Sequence, residues 1–177
     1  MDGTLRLADF AVLPRLTGAW QGQFICLDAD AREIRRFHAL LTQEIVDGRW
    51  VQRNENTYPD GSSEVWHFFG RPVAKGRMQL TSPDAPYSGF RMLVREAAEN
   101  VVLLQVWDVK TNAVLATETF TLIDRDSRVR TIQQFAPDGA LRGVMVVKER
   151  RASADQPPRK RSRNRLNDST IRRVSSS

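Results

Sequence analysis

The sequence predicts an all-β protein, with about ten antiparallel strands wound into an up-and-down barrel. Three observations predict it. Strand-like runs recur roughly every 8–13 residues with turn chemistry between nearly all of them. No convincing long helix separates them, so neighbouring strands have short antiparallel connections. The last two runs, Arg128–Phe135 and Leu141–Arg150, are rich in β-branched residues and meet at Pro137-Asp138-Gly139, a turn in which proline fixes φ and glycine takes a positive one. If the chain closes, this hairpin closes it against Thr17-Gly18-Ala19-Trp20. A barrel removes the exposed edges of an open sheet. A β-sandwich is the competing architecture, although Greek-key sandwiches usually need a longer connection somewhere.

Taken in order, Leu5 to Leu16 reads as a short helical turn packed by Leu7, Phe10, Val12, Leu13 and Leu16, with Pro14 ending it. Trp20, Gly22, Phe24 and Cys26 alternate on one side of a first strand. Phe37, Ala39, Leu41 and Ile45 alternate on a second, which ends at Asp47-Gly48, a strong hairpin signal. Arg49 to Tyr58 follows, closed by Pro59-Asp60-Gly61. Glu64 to Phe69 is aromatic-rich, Arg77 to Thr81 is short, and Phe90, Met92 and Val94 alternate with Arg91 and Arg95. Val101 to Trp107 and Val114 to Ile123 precede the closing hairpin.

The 177 residues suffice for one domain with a sizeable core, and the 41% hydrophobic and 27% charged contents are ordinary for a globular chain. The net charge of +6 is not spread over the fold: from Arg151 on there are eight basic and two acidic side chains, and the rest is neutral. The division expected is a barrel domain over residues 1–151 and a basic tail over 152–177. The tail has too few apolar residues to offset chain entropy, so it is expected to be disordered. Its run Arg159-Lys160-Arg161-Ser162-Arg163-Asn164-Arg165 suits weak, non-specific binding to nucleic acid or anionic surfaces, without aromatic residues for base stacking. One cysteine, Cys26, rules out an internal disulfide and favours a cytoplasmic setting. No signal peptide and no membrane span are expected, since no run approaches the roughly 20 apolar residues a span requires.

Candidate site residues come from positions where polarity and strand period conflict. Trp20, in Gly18-Ala19-Trp20, is placed to plug one end of a small barrel, as a ligand-cavity floor or as plain packing. Arg128 and Arg130 share a strand face by period two. Facing inward they would need carboxylate partners and would suit a ligand carboxylate; facing outward they would leave Val129, Thr131, Gln133 and Phe135 inside. The residues leave both faces open. Glu118 lies on the apolar face of Val114, Ala116, Phe120 and Leu122, where a carboxylate is costly unless Arg128, Arg130 or Arg150 pairs with it. Gln52, Asn54 and Asn56 share a face with Trp50 and Tyr58 and suit either a ligand lining or a solvent face. His38 and His67 are each alone on a strand, so no metal site is expected. His67, beside Trp66, Phe68 and Phe69, is a conceivable haem ligand, with a simple packed histidine as the plainer reading. Cys26 reads as a small buried hydrophobe. No phosphate loop, nucleophile elbow or other catalytic constellation is present, and no catalytic residue is assigned.

The segment Leu16-Thr17-Gly18-Ala19-Trp20-Gln21-Gly22-Gln23-Phe24 is similar to the opening of an uncharacterised lipocalin-like (calycin) family of photosynthetic organisms. Arg128-x-Arg130-Thr131-x-Gln133-x-Phe135, Asp138-Gly139-x-Leu141 and Lys148-Glu149-Arg150 resemble that family's closing strands. Similar endings occur in the related S/U-type phycobiliprotein lyases, which hold a linear tetrapyrrole in a calycin barrel and pass it to an acceptor-protein cysteine. The resemblance implies a calycin barrel with a cavity, Trp20 as its end plug, and Arg128, Arg130, Glu149 and Arg150 as contacts to ligand propionates or stacking partners of the plug. It implies a bilin or other tetrapyrrole as ligand. The function expected is a non-enzymatic barrel binding an apolar, carboxylate-bearing molecule, tetrapyrrole-like or fatty-acid-like. The alternatives are a chromophore lyase with an acceptor-protein partner and an interaction module acting through the basic tail.

Overall fold

The computed structural model describes residues 5–152; the basic segment from residue 153 on, and the disorder expected of it, lie outside the described residues. Ten strands follow one another: β1 (Gly18–Asp28), β2 (Glu33–Val46), β3 (Arg49–Thr57), β4 (Ser63–Ala74), β5 (Arg77–Thr81), β6 (Phe90–Ala98), β7 (Val101–Asp108), β8 (Val114–Leu122), β9 (Ser127–Phe135) and β10 (Leu141–Arg151). Each pairs antiparallel with the next, and β1 pairs with β10, so the sheet closes on itself. The seam is the one the sequence predicts: Trp20 stands opposite Arg151 and Phe24 opposite Val147. This is a closed meander, not a sandwich.

Because the strands alternate in direction, the barrel has two distinct ends. One gathers the start of β1, the end of β10 and the β2–β3, β4–β5, β6–β7 and β8–β9 turns. Two 3-10 turns, Leu7–Asp9 and Leu13–Leu16, close it. Leu7, Phe10, Val12, Leu13 and Leu16 are all buried, as their apolar character predicts. Pro14, expected to end a helical turn, instead opens the second one, where its missing N–H costs nothing because that donor has no intrahelical acceptor. The linking backbone is held by Glu96, whose carboxylate accepts from the N–H groups of Ala11, Val12 and Leu13. The opposite end gathers the remaining turns and the longer β5–β6 connection, which contains a third 3-10 turn, Tyr87–Gly89. No helix among the described residues is long and apolar enough to cross a membrane.

Side-chain direction follows the period of two. Trp20, Phe24 and Cys26 of β1 point inward, as do Phe37, Ala39 and Leu41 of β2. β4 runs past the expected Glu64–Phe69 because a register shift beside Pro72 absorbs the residue that cannot donate to the ladder.

Candidate functional site

The β9 alternation is decided by burial. Arg128, Arg130 and Ile132 face the lumen, while Val129, Thr131 and Gln133 stand on the outside. Arg128 is fully buried, as is Glu149 on β10 directly opposite it. Arg130 stands opposite Phe120 of β8 and Val147 of β10, so Glu118 and Glu149 are its diagonal neighbours. Such burial is tolerable only with full pairing. Arg130 Nε and Nη2 both reach Glu118 Oε1, at 2.6 and 2.5 Å, and Nη1 donates to Glu149 Oε1 at 3.0 Å. Arg128 Nε donates to Glu149 Oε2 at 2.5 Å and its Nη1 to Gln43 Oε1 at 2.7 Å. Two guanidiniums and two carboxylates thus form a neutral buried quartet. Arg128 Nη2 is the one buried side-chain polar atom without a partner among the described residues. Gly22 makes room for the quartet: it pairs with Glu149 across the seam, and a Cβ there would stand 2.6 Å from Glu149 Cγ.

The groups respond to this setting in different directions. Burial pushes the Glu118 carboxyl up, against the pull of Arg130. Burial acts the same way on Glu149, but Arg130 and Arg128 together outweigh it and hold that carboxyl below its ordinary value. Burial pushes Arg128 down to about 10, against the pull of Glu149. Arg130, gripped from both sides, is raised despite its burial.

The quartet continues into an amide chain along β2 and β3. Gln43 Nε2 donates to Gln52 Oε1 at 2.9 Å, Trp50 Nε1 donates to the same oxygen at 3.1 Å, and Gln52 Nε2 donates to Asn54 Oδ1 at 3.0 Å. The polar face of β3 therefore points inward and is largely bonded to itself. Trp20 is the plug the sequence predicts: fully buried, its Nε1 donates to the Leu16 carbonyl at 2.8 Å. The guanidinium of Arg128 lies over its ring, 4.2 Å from the centroid, and that of Arg151 at 4.4 Å.

Arg150 requires a correction. It is exposed on the outer face of β10, and the arginine on the plug is Arg151. The reason is the strand period: Val147, Glu149 and Arg151 share the inward face, and Arg150 cannot join them. Arg151 was missed, although counting by twos from Glu149 reaches it. It also ties the termini of the barrel together, with Nη1 and Nη2 on the carbonyls of Thr17 and Arg15. Glu96, another inward residue with a defined partner set, was missed because its acceptor role depends on the chain crossing the barrel end 83 to 85 residues away.

The other half of the lumen is different. Tyr58, Trp66, Tyr87, Phe90, Leu104 and Met145 point into it and keep part of their surface exposed. Tyr87, carried by the β5–β6 connection, packs edge-on against Trp66 and Phe68, each with ring centroids 5.0 Å away. Tyr58 donates to Glu64 Oε2 at 2.6 Å. Burial pushes both tyrosine hydroxyls up. Phe24 and Phe37 stack at 4.7 Å, and Arg35 lies at the rim with its guanidinium 5.3 Å from Phe37 and 5.4 Å from Tyr58. Cys26 is a buried free thiol whose pKa burial raises, the inert small hydrophobe expected. His67 faces outward and sits 3.2 Å from Asp84 Oδ2, which also accepts from the His67 backbone N–H. That placement removes His67 from the lumen and from any ligand within it.

A closed ten-stranded antiparallel barrel, plugged at one end and lined by partly exposed aromatics toward the other, defines the class as a lipocalin-like barrel. Residues 10–154 match the family described as domain of unknown function (DUF3598), N-terminal, and the chain belongs to that family. A DUF3598 protein of unknown function from Nostoc punctiforme is similar in structure, with a TM-score of 0.60 and 19% identity over 79% of this chain and 49% of that one. The chain thus spans about half the length of that relative. The S-type phycobiliprotein lyase CPES from Guillardia theta has a TM-score of 0.62 and 11% identity, covering 85% of this chain and 95% of its own. Rv2717c from M. tuberculosis has a TM-score of 0.56 and 16% identity, covering 80% and 95%. No curated protein matches the chain. At these identities the likeness is one of fold. It is a likeness to the calycin-type barrel that the terminal segments suggest.

Proposed function

We propose that this protein is a binding barrel for an apolar small molecule with carboxylate groups, a bilin-like tetrapyrrole or a fatty-acid-like chain. The observation that carries the reading is the contrast inside one lumen: a plugged half whose charges are paired, and a half whose aromatic side chains are held in place yet not fully covered. Partly exposed aromatic surface facing inward is the material of small-molecule sites, which are mostly apolar with a few fixed polar groups. Tyr58, Trp66, Tyr87 and Phe90 offer ring faces and edges that fit the flat, conjugated body of a bilin, so the residues present are compatible with that ligand. The cytoplasm is the proposed setting, on the strength of the single free, buried thiol.

The test is an equilibrium titration of purified protein with biliverdin and, separately, with laurate, read by bilin absorbance or by tryptophan fluorescence. Saturable binding well below millimolar is the expected result; a usable site contributes more than about 4 kcal/mol. No binding of either compound up to millimolar removes the reading.

Chromophore transfer is the second reading, supported by the likeness of fold to a phycobiliprotein lyase. In that reaction an acceptor thiol adds across a carbon–carbon double bond of the bilin. One C–S bond forms, the thiol proton is replaced by one delivered to the neighbouring carbon, and no oxidant or reductant is needed. Glu118, whose carboxyl burial pushes toward the protonated form, is the side chain of the quartet suited to holding such a proton. Transfer to an acceptor cysteine that is lost in Glu118→Gln or Arg130→Ala, with the barrel still folded by circular dichroism, supports this reading. Binding without transfer rejects it.

A further inference from the structure

We infer that Arg35, at the rim of the open end, is the anchor for the ligand's carboxylate, and that the ligand enters with its acid group facing out. The inference rests on the binding function proposed above and deepens it. It reverses the orientation expected if Arg128 and Arg130 held the acid.

Three observations carry it. First, the interior arginines are already engaged. All three nitrogens of Arg130 contact Glu118 or Glu149, and Arg128 is committed to Glu149 and Gln43. The remaining Arg128 Nη2 belongs to a fully buried guanidinium stacked on the plug at the closed end. A ligand carboxylate entering the quartet would add a third negative charge to two positive ones in a dry interior, or would displace a glutamate that has no other buried partner.

Second, Arg35 has what the interior arginines lack. It lies on the inward face of β2, two residues before Phe37, beside Cys26 of β1. Its guanidinium sits over the rings of Phe37 and Tyr58, and no carboxylate pairs with it among the described residues. Its neighbours on the rim are differently placed: Arg36 is bonded to Glu33 and Gln23, and Arg32 to Asp30. With only the weakly accepting Cys26 thiol against it, a guanidinium lying on aromatic faces keeps N–H groups for a carboxylate, which it matches through two parallel hydrogen bonds.

Third, the apolar surface leads from it into the lumen. Phe37, itself buried on Phe24, stands 5.2 Å from Tyr58 below Arg35, and the partly uncovered rings of Tyr58, Trp66, Tyr87 and Phe90 continue inward. A molecule laid on those uncovered rings buries its apolar body while its acid stays at the water-accessible rim. There the charge needs little desolvation, which removes the largest cost of binding an anion.

The experiment compares wild type with Arg35→Gln against two pairs of probes: biliverdin and its dimethyl ester, and laurate and its methyl ester. Whichever acid binds the wild type loses about tenfold or more in Arg35→Gln, the scale of a lost charge-assisted hydrogen bond. The matching ester binds both proteins alike. The two acids tell a tetrapyrrole from a fatty acid. An acid affinity within twofold of wild type in Arg35→Gln, or an ester weakened as much as the acid, overturns the anchor while leaving the binding function standing. If no probe binds the wild type, the function and the anchor fall together. Arg35 is exposed at the barrel rim, so the variant keeps the wild-type melting temperature, and that is checked alongside.

Discussion

The two halves of this barrel are built from the same ten strands and solve opposite problems. Toward the closed end, polar groups are buried and nearly all of them are bonded: four charges cancel, three amide side chains relay the bonding, and two arginines cover the plug. Toward the open end, aromatic side chains are packed on one another but left partly uncovered, and a guanidinium has no carboxylate partner among the described residues. The comparison teaches that buried charge alone does not mark a binding site. What matters is whether the charge is already spoken for. By that criterion the quartet is a device for fixing the register of β8, β9 and β10, and the binding proposed above is assigned to the half with less charge.

The largest expected effect breaks the closed half. Glu149→Ala leaves Arg128 without its carboxylate and Arg130 with one, and unfolding in urea at neutral pH should show a loss of about 3–5 kcal/mol. A loss under about 1 kcal/mol would mean that water or another group compensates, and the halves would not differ as argued. Gly22→Ala is the next in size: its methyl group has to push against the Glu149 side chain and the Lys148 backbone, at a cost of about 1–3 kcal/mol in the same assay.

Acid sharpens the contrast within the quartet. The folded-state pKa of Glu149 is depressed, so its stabilisation is present above the ordinary glutamate value near 4.5 and is lost as pH falls through the folded value. Glu118 is raised by burial, so its contribution is present at low pH and is lost as pH rises through its folded value. The stability gap between wild type and Glu149→Gln should therefore narrow from pH 7 toward about pH 3, while the gap to Glu118→Gln should not narrow in the same way. Parallel melting curves at both pH values for all three proteins would contradict the assignment. The smallest effect is expected at the open end, where Arg35→Gln should change stability by less than about 0.5 kcal/mol, because the side chain is exposed and in no ion pair among the described residues.

Much of the fold was legible because it rests on local chemistry. Turn residues at Asp47-Gly48 and Pro137-Asp138-Gly139 mark two of the connections, and the alternation in β1, in β2 and in β8 from Ala116 on assigns the inward faces correctly, whereas Val114, expected inside, is exposed beyond a register shift. Glu118 stood out for the same reason, as a carboxylate on an apolar face. The direction of β9 was not legible: its Val129 face is the more apolar one by composition, and only the partners on β8 and β10, brought in by pairing, make the arginine face the buried one. The same non-local pairing explains why Gln52 and Asn54 read equally well as lining or surface. Arg35 was invisible as a site residue because nothing in sequence separates it from Arg32 and Arg36. Only their partners do.

The claim that the open half binds and the closed half supports can be tested most directly by hydrogen–deuterium exchange of the wild-type protein with and without saturating biliverdin. The account predicts added protection in residues 33–37, 56–66 and 82–90, which surround the aromatic lining, and unchanged exchange in the closed-end segments 11–21 and 148–151. Protection centred on the closed-end segments, or no change anywhere with biliverdin at millimolar concentration, would contradict it.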